Sequence, residues 1–301
     1  MRKIFSTTIK DGWDAPYLSK YDDEVGVKDF AELDENVELI NFNSKVINLH
    51  LLPQFKSIRF VGIGIVTPEL IDLLAQLPCL EVLKVSHNKN EDWPALKPLS
   101  SLKYLILHNV KKLSTLDFLK NMMQLESLFI SEVLKLTDIS ALETTPNIRE
   151  FSLEGSLHGQ SSVLPVTDAL FSLKKLEYLK FFSKKTIFNA ADFANFKNLE
   201  YLHLSPRRYP FEFYCELEKY LPNSCERVHA PLFRSYHEDD ACAKCGGTNS
   251  FWALGLRQRE FCPSCNKKKL DKLLDIYASL SGKNAVAAID HIPFLQSQRD
   301  K

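Results

Sequence analysis

The dominant pattern in this chain is a spacing of apolar residues that recurs at regular intervals. Six segments read apolar-x-x-apolar-x-apolar, and their first residues are 22, 23, 23, 28 and 23 positions apart. A fixed period of this length is typical of a stacked solenoid, in which each repeat buries its apolar side against its neighbours. The pattern therefore predicts one short parallel strand in each repeat. The six segments begin at Leu80, Leu102, Leu125, Ile148, Leu176 and Leu199.

The agreement between the repeats extends beyond the strands. Residues 113–119 recur 23 positions later as residues 136–142, with their apolar and polar positions in phase. Weaker copies of the strand pattern begin at Val37 and Phe55 before the six segments, and at Cys225 after them. The regular and weaker segments together predict about nine short strands.

Residues 36–231 resemble the leucine-rich repeats of short-period, internalin-like proteins. The resemblance implies an α/β solenoid whose short strands form a parallel, concave sheet. That family places Asn at the ninth position of each repeat, where its side chain bonds the turn, and Asn88 follows this rule. The repeats depart from it at the other equivalent positions, which hold Val110, Val133, Ser156, Lys184 and Arg207.

Composition and charge narrow the class of protein. The chain has 301 residues, of which 45% are apolar, enough to build more than one folded part. Its 38 basic residues balance its 38 acidic ones, so it lacks the surplus charge that favours nucleic acid or an anionic membrane. The first ten residues lack the apolar stretch of a secretory signal, and no run approaches the ~18 apolar residues that span a bilayer. We therefore expect a cytoplasmic protein that makes no membrane contact.

The two ends of the repeat region differ from its middle. Residues 1–35 lack the repeat, and Trp13, Tyr17 and the acidic residues 21–24 favour a cap over the first repeat. A separate binding arm is the alternative interpretation of this segment. Residues 211–221 read as a helix on the convex side of the last regular repeat, ahead of the weak strand that starts at Cys225.

Two Cys-x2-Cys pairs follow the repeats. Cys242 and Cys245 are separated from Cys262 and Cys265 by 16 residues, a spacing that suits four thiolates around a tetrahedral zinc ion. The alternative, a redox dithiol, needs one reactive pair, whereas two pairs in a reducing compartment favour zinc. Four thiolates leave no open coordination position for water or substrate. The pairs therefore predict one structural Zn2+ per chain.

The residues around these pairs predict a compact module. Residues 251–254 and 257–261 read as the two strands of a hairpin, and helical spacing begins at Lys267, directly after the second pair. The two Cys-x2-Cys turns, the hairpin between them and the helix that follows together resemble a treble-clef zinc finger. The predicted organisation is a cap at 1–35, repeats at 36–231, a zinc module at 232–282 and a C-terminal tail at 283–301.

Other candidate ligands have simpler interpretations. His237 lies five residues before Cys242 and is an alternative metal ligand, although a solvated surface histidine is the preferred interpretation. Cys79, Cys215 and Cys225 lie in or beside repeat positions, where free cysteine packs as a small hydrophobe. A disulfide or a second metal site is the alternative for these three.

Nucleic-acid binding through the zinc module is the alternative function. Lys267, Lys268 and Lys269 lie near Arg257 and Arg259, and the chain from Pro231 onward has 11 basic and 8 acidic residues. The resulting surplus of three positive charges is nearly balanced by a zinc ion with four thiolates, which together carry a net charge of −2. A surface that binds the phosphate backbone of a nucleic acid normally has a clear surplus of positive charge. We therefore interpret the lysines as a solvated face beside the metal.

Catalysis is not the function that we expect. The chain contains no Gly-x4-Gly-Lys-Ser/Thr phosphate loop, no His-Glu-x-x-His metal helix and no Gly-x-Ser-x-Gly nucleophile elbow. The leucine-rich repeat ligases of bacterial pathogens also need a large catalytic domain, for which residues 232–301 leave no room. No small-molecule substrate is therefore expected.

Recognition of a partner protein through the concave face is the expected function. The third and fifth positions of each strand pattern point out of the sheet, and several of them are aromatic, as protein-binding hot spots require. Capping segments or loops folded over these side chains are the alternative. The resemblance implies an effector, a regulator or an immunity protein of a bacterium, and toxin immunity is the specific role that we expect. The predicted partner-binding residues are Tyr104, Ile106, Phe129, Tyr178, Phe182 and Tyr201.

Overall fold

The computed structural model describes residues 25–155, 163–164, 168–184, 186–227, 230–236, 242–247, 249–256 and 260–284. The chain divides into two compact units, 1–186 and 187–301. Trp13, Tyr17, residues 21–24 and His237 lie outside the described residues. The four predicted domain ranges stay predictions.

Eight short strands form a sheet in the described residues of the first unit. Each pairs in parallel with the next along the chain, so the order in the sheet follows the order in the sequence. This arrangement confirms the stacked parallel strands that the apolar spacing predicts and the leucine-rich repeat fold that the resemblance implies. The strands are β1 (Val25–Gly26), β2 (Leu39–Phe42), β3 (Phe60–Ile63), β4 (Val82–Ser86), β5 (Tyr104–His108), β6 (Ser127–Ser131), β7 (Glu150–Leu153) and β8 (Tyr178–Phe181).

The core of the repeats lies on one face of this sheet. Leu105, Leu128 and Phe151 occupy the same register position on neighbouring strands, and each is fully buried. Short helical returns complete the repeats. They are α1 (Pro68–Leu74) and 3₁₀ turns at Phe30–Glu32, Leu49–Gln54, Asp117–Leu119, Ser140–Thr144 and Asp168–Ser172.

Local sequence explains why α1 begins where it does. The Thr67 hydroxyl accepts a hydrogen bond from the N–H of Leu70 at 3.2 Å, and Pro68 occupies the first turn. Both residues suit a helix N-terminus, because threonine supplies a capping oxygen and proline lacks an N–H that would go unbonded there. Leu70, Ile71 and Leu74 then face the core.

Several strands are directly followed by a residue in the left-handed backbone conformation, which the apolar pattern alone does not predict. His87, Asn109 and Glu132 have φ angles of 62°, 55° and 52° and are 22 and 23 residues apart. In the next position, the Asn88 side chain accepts a hydrogen bond from the N–H of Asn90 at 2.9 Å. Val110 and Val133 hold the equivalent sites as buried apolar residues. The backbone therefore closes these turns without a repeated asparagine side chain.

Two weak copies of the repeat lie at a different register from the prediction. Phe60 pairs with Val82, so the apolar pattern of β3 begins at Ile58, three residues after Phe55. The strand that was predicted to start at Cys225 is displaced by one position, because Glu226 pairs with Tyr201. In the first of these copies, Phe55 and Ile58 lie three positions apart and both fit the start of the motif, so the apolar pattern cannot distinguish the two registers.

The second unit holds the rest of the described elements. β9 (Tyr201–Leu204) pairs in parallel with β10 (Glu226–Arg227), and the predicted helix between them is confirmed as α2 (Phe211–Tyr220). β11 (Leu232–Tyr236) pairs antiparallel with β12 (Asn249–Ala253), and α3 (Lys267–Ser281) follows the second cysteine pair. A 3₁₀ turn spans Ala190–Asn195. None of the helices in the described residues has both the length and the apolar character needed to cross a membrane.

Candidate functional site

The two cysteine pairs meet in space. The four Sγ atoms of Cys242, Cys245, Cys262 and Cys265 all lie within 4.8 Å of one another. The Sγ atoms of Cys242 and Cys265 are 3.7 Å apart, and those of Cys245 and Cys262 are 3.5 Å apart. Zinc–sulfur bonds of about 2.3 Å in a tetrahedron place sulfur atoms about 3.8 Å apart. The spacing and the donor type both suit a four-thiolate metal site.

Each cysteine pair is held by its own backbone turn. The N–H groups of Cys245 and Gly246 donate to the Cys242 carbonyl at 3.2 and 2.8 Å, and Gly246 has a φ of +69°. In the second pair, the backbone N–H of Asn266 donates to the Cys262 carbonyl at 3.0 Å. Glycine at a positive φ carries little steric cost, so the sequence suits this tight turn.

Electrostatics within the cluster favour a bound cation. Backbone N–H groups of Lys244 and Cys245 lower the pKa of the Cys242 thiol to about 6. Hydrogen bonding with Cys245 and Cys242 acts in the opposite direction on Cys265 and raises the pKa of its thiol to about 12. Negative sulfurs this close repel one another, so the four cannot all ionise without a positive charge among them. All seven cysteines fall within the described residues, and none of them forms a disulfide.

The cysteine cluster is attached to a hydrophobic core that it shares with the last repeat. Phe211 and Cys215 of α2 belong to the same buried cluster as residues of β11, β12 and α3. At the end of α3, Lys283 Nζ bonds Glu218 Oε2 of α2 at 2.8 Å, and the Glu218 side chain is only 2% exposed. The buried cluster comprises Phe211, Cys215, Leu232, Phe251, Ala253, Phe261, Leu273 and Tyr277.

The hairpin predicted between the cysteine pairs is only partly present. Phe251 and Phe261 exchange backbone hydrogen bonds at 2.9 and 3.0 Å, as its two strands should. Residues 257–259 lie outside the described residues. The extended partner of β12 is β11, which the sequence pattern does not indicate. β12 is therefore anchored to the segment that immediately follows the last repeat.

Gly255 fixes how closely β12 approaches α2. It has a φ of +122°, its N–H donates to the Pro206 carbonyl at 2.9 Å, and an added Cβ would lie 2.8 Å from the Phe211 nitrogen. We expect Gly255→Ala to destabilise the second unit by about 3 kcal/mol, because backbone strain and overpacking act together. Chemical denaturation followed by circular dichroism measures this change.

Gly282→Ala is the matched control for this substitution. Gly282 ends α3 at a φ of +69°, and an added Cβ there would meet no atom within 4 Å. Only the conformational cost of about 1 kcal/mol remains. Equal losses for the two variants would contradict the close approach of Gly255 to Phe211.

Two of the three lysines beside the second cysteine pair have partners within the module. Lys267 Nζ bonds Asp271 at 2.7 Å, and Lys269 Nζ lies 4.4 Å from the centre of the Phe261 ring. Lys268 is exposed. These contacts reduce the positive charge that the module can offer to phosphate groups.

Four of the predicted partner-binding residues alternate along their strands with residues of the repeat core and so lie on the opposite sheet face, but they are buried where exposure was expected. Tyr104 and Ile106 are each 4% exposed, and Phe129 is 3% exposed. Tyr178 is also buried at 4%, whereas Phe182 is half-buried. Tyr201 belongs to the second unit and is half-buried.

Three of these residues, Tyr104, Ile106 and Phe129, belong to one buried cluster, which we call the face cluster. It consists of Phe60, Val82, Tyr104, Ile106 and Phe129, with Leu39 packed against it. Strand register brings them together, since Ile106 pairs with Phe129 and Tyr104 with Val82. Sequence reasoning missed Phe60, because the weak copy at Phe55 was read in the wrong register. The members of the cluster all come from strands β2 to β6 of the sheet.

Buried polar residues continue this face beside the cluster. Ser127 and Glu150 occupy neighbouring register positions and are 1% and 3% exposed. The Ser127 hydroxyl donates a hydrogen bond to the Glu150 carboxylate. A carboxylate this deeply buried depends on such donors, because its desolvation is costly.

We expect Ser127→Ala to lower the free energy of unfolding by about 1 to 3 kcal/mol, because the buried Glu150 carboxylate loses the hydrogen bond from the Ser127 hydroxyl. Denaturant titration of the wild type and the variant measures this loss. Met123→Ala is the control, since Met123 is 52% exposed and its truncation should cost less than about 0.5 kcal/mol. A loss at Ser127 as small as that at Met123 would contradict the importance of the hydrogen bond.

The known proteins that the chain resembles were found among solved structures. No protein-family model matches the chain, and no curated protein matches it in sequence. An internalin (inlF) of Listeria monocytogenes is similar over 65% of this chain and 54% of its own, at 18% identity and a TM-score of 0.45. A leucine-rich repeat protein of Leptospira interrogans is similar over 68% of this chain and 59% of its own, at 16% identity and a TM-score of 0.44. The matched regions thus span less than two thirds of both proteins.

Proposed function

We propose that this protein is a non-catalytic scaffold that binds a partner protein through the sheet face that carries the face cluster. The observation that carries this proposal is the position of the cluster. The repeats already have a complete core on the other face, where Leu105, Leu128 and Phe151 are fully buried. The aromatic residues of the face cluster are therefore additional to what the solenoid needs. Aromatic side chains grouped at the middle of a surface are characteristic of protein-binding hot spots.

The metal ion that we propose is a structural Zn2+ held by Cys242, Cys245, Cys262 and Cys265. The sulfur spacing supports it, and four protein ligands complete a tetrahedral shell. A bound zinc ion supplies positive charge and a fixed geometry to this site, and the surrounding chain supplies the shared core with α2. The metal then holds the second unit together and takes no part in chemistry.

The biological setting that we propose is a cytoplasmic, bacterial one, in which the partner is a toxin and the scaffold an immunity or effector-type protein. The resemblance of the repeats to internalin-like sequences supports this setting. Affinity purification of the full chain from its source cells, followed by mass spectrometry, identifies the partner. A toxin among the recovered proteins would support the immunity role, and recovery of nucleic acid alone would contradict it.

Substitutions then test where the partner binds. We expect Phe129→Ala and Tyr104→Ala each to weaken partner binding by about 2 kcal/mol or more, because central aromatic residues contribute most to binding energy. Isothermal calorimetry with the recovered partner measures this effect. Lys268→Glu, which changes an exposed residue of the zinc module, should leave the affinity nearly unchanged.

The alternative function, nucleic-acid binding through the zinc module, makes the opposite forecast. Lys268→Glu would weaken binding, Phe129→Ala would not, and the affinity would fall steeply with added salt. The contacts of Lys267 with Asp271 and of Lys269 with Phe261 favour the protein partner. A steep salt dependence together with loss of affinity at Lys268 would overturn the proposed function.

A further inference from the structure

The position directly before each strand from β2 to β8 holds a charged residue, and the sign of the charge alternates from strand to strand. These residues share one register position, because the first residues of the seven strands pair with one another. Acidic residues precede β2, β4, β6 and β8, and basic residues precede β3, β5 and β7. We call this row the charge ladder, and it consists of Glu38, Arg59, Glu81, Lys103, Glu126, Arg149 and Glu177.

The backbone holds the members of the charge ladder side by side. The N–H of each member after Glu38 donates to the carbonyl of the member before it, at distances of 2.7 to 2.9 Å. Neighbouring strands of a sheet lie about 4.8 Å apart, so side chains at one register position are within reach of each other. Each charge of the ladder therefore has charges of the opposite sign as its lateral neighbours.

Ion pairs between neighbouring side chains follow this alternation. Glu81 lies between two cations, since its Oε2 is 2.6 Å from Arg59 and its Oε1 is 3.2 Å from Lys103. Partial burial acts to raise the pKa of the Glu81 carboxyl, but the hydrogen bonds from these two cations hold that pKa below its ordinary value. Arg149 and Glu177 form a further ion pair at 3.2 Å. Charges on neighbouring strands therefore attract one another in the folded chain.

The core of the repeats does not specify which strand lies beside which. β4, β5 and β6 present a fully buried leucine at the same core position, namely Leu83, Leu105 and Leu128. A wrong order of these strands would still pack leucine against leucine. Looping out one repeat of 22 or 23 residues also costs only modest entropy, because the cost of closing a loop grows slowly with its length. Misassembly of repeats is accordingly a characteristic way in which such chains misfold.

The charge ladder distinguishes the correct order from a skipped one. If β5 were looped out, Glu81 would lie beside Glu126, and like charges directly opposite each other are destabilising. The same holds for any single strand from β3 to β7, because ladder members two strands apart have the same sign. In the correct order these like charges are about 9.6 Å apart, which is close to the screening length at physiological salt. Their repulsion is therefore weak in the native sheet and stronger in a skipped pairing.

We propose that the charge ladder specifies the order of the strands during folding, by making each skipped pairing repulsive. One exposed ion pair contributes little to stability. The ladder acts instead through the difference between two pairings, in which attraction at the correct neighbour and repulsion at the wrong neighbour add together. This device is independent of the proposed function, since no partner protein takes part in it.

An exchange of charges within the ladder tests this proposal in the full chain. Glu81→Lys combined with Lys103→Glu keeps the composition, but it places like charges beside Arg59 and beside Glu126. The chain is refolded by dilution from denaturant into a buffer of low ionic strength that contains zinc, and the monomer is analysed by hydrogen exchange and mass spectrometry. We expect a several-fold larger population in which one of the strands β3 to β6 is unprotected while the strands on both sides of it are protected. In about 1 M salt, where the screening length is about 3 Å, the exchanged and wild-type chains should refold alike.

Lys120→Glu combined with Glu143→Lys is the matched control. Both residues are exposed, and they hold equivalent positions of neighbouring repeats outside the charge ladder. This exchange also keeps the composition, and it should leave refolding at low salt unchanged. An equal rise in skipped strands in this control would overturn the proposal. Refolding of the Glu81 and Lys103 variant without a skipped strand would overturn it as well.

Reversing the sign of all seven ladder members separates alternation from the particular residues. The inverted ladder still alternates, so its refolding should match that of the wild type. If the inverted chain skips strands as often as the exchanged chain, the alternation has no role and the proposal is wrong. If the inverted chain does not fold at either salt concentration, the exchanged chain and its matched control decide the question.

Discussion

Replacing Cys262 with serine is expected to unfold the second unit and to leave the first unit folded. Structural zinc contributes on the order of 10 to 16 kcal/mol to isolated zinc-finger peptides, which exceeds the stability of a typical small domain. Because α2 shares a core with α3 and β12, the loss should extend to Phe211 and Cys215 of the last repeat. Hydrogen exchange followed by mass spectrometry should show lost protection in α2 and α3, with β4 to β7 unaffected.

The control for this experiment is Cys79→Ser. Cys79 is exposed and lies in the first unit, so its replacement should change neither metal content nor exchange. Elemental analysis should find one zinc per chain in the wild type and in this control, and none in Cys262→Ser. If elemental analysis finds no metal in protein prepared without chelator, the zinc proposal is wrong. Exchange that rises in α3 while α2 stays protected would contradict the shared core.

Leu128→Ala is expected to lower the free energy of unfolding of the first unit by about 2 to 5 kcal/mol. Leu128 is fully buried and lies between Leu105 and Phe151 in the same register position. Its truncation removes packing contacts and leaves a cavity that rigid neighbouring strands cannot close. Denaturant unfolding monitored by circular dichroism measures the loss.

Leu256→Ala removes the same atoms from a leucine that is 54% exposed. We expect it to cost less than about 0.5 kcal/mol, since little apolar surface leaves a buried environment. Comparable losses for Leu128 and Leu256 would mean that the repeat core does not lie on the face that carries Leu128.

The sequence predicts the strands of this fold well because the same apolar spacing recurs in each repeat and shows where each strand begins. Each strand between β4 and β8 contains the same apolar spacing, so an error in one segment is corrected by its neighbours. The weak copy at Phe55 has no such correction, because Ile58 fits the same pattern three residues later. The left-handed residues His87, Asn109 and Glu132 also escape prediction, since they share a position but not a residue type.

The two candidate sites differ in how far the sequence predicts them. The cysteine cluster follows from the spacing of four residues whose type has few other uses, and the four sulfurs do meet. The exposure of Tyr104 and Phe129 was predicted from strand alternation, which indicates the face of a sheet but not what lies over that face. The core shared by Phe211 and Tyr277 joins residues far apart in the chain and leaves no periodic signal.

The shared core of the second unit also constrains the order in which the chain can fold during synthesis. In the first unit, each strand pairs with the one made just before it, so folding can follow the growing chain. In the second unit, the buried cluster of Phe211 and Cys215 is completed by Leu273 and Tyr277, which are translated more than fifty residues later. A ribosome stalled before α3 would hold a chain in which the apolar face of α2 lacks part of its cover. The last repeat therefore completes its core only after the segment that carries the four cysteines has been made.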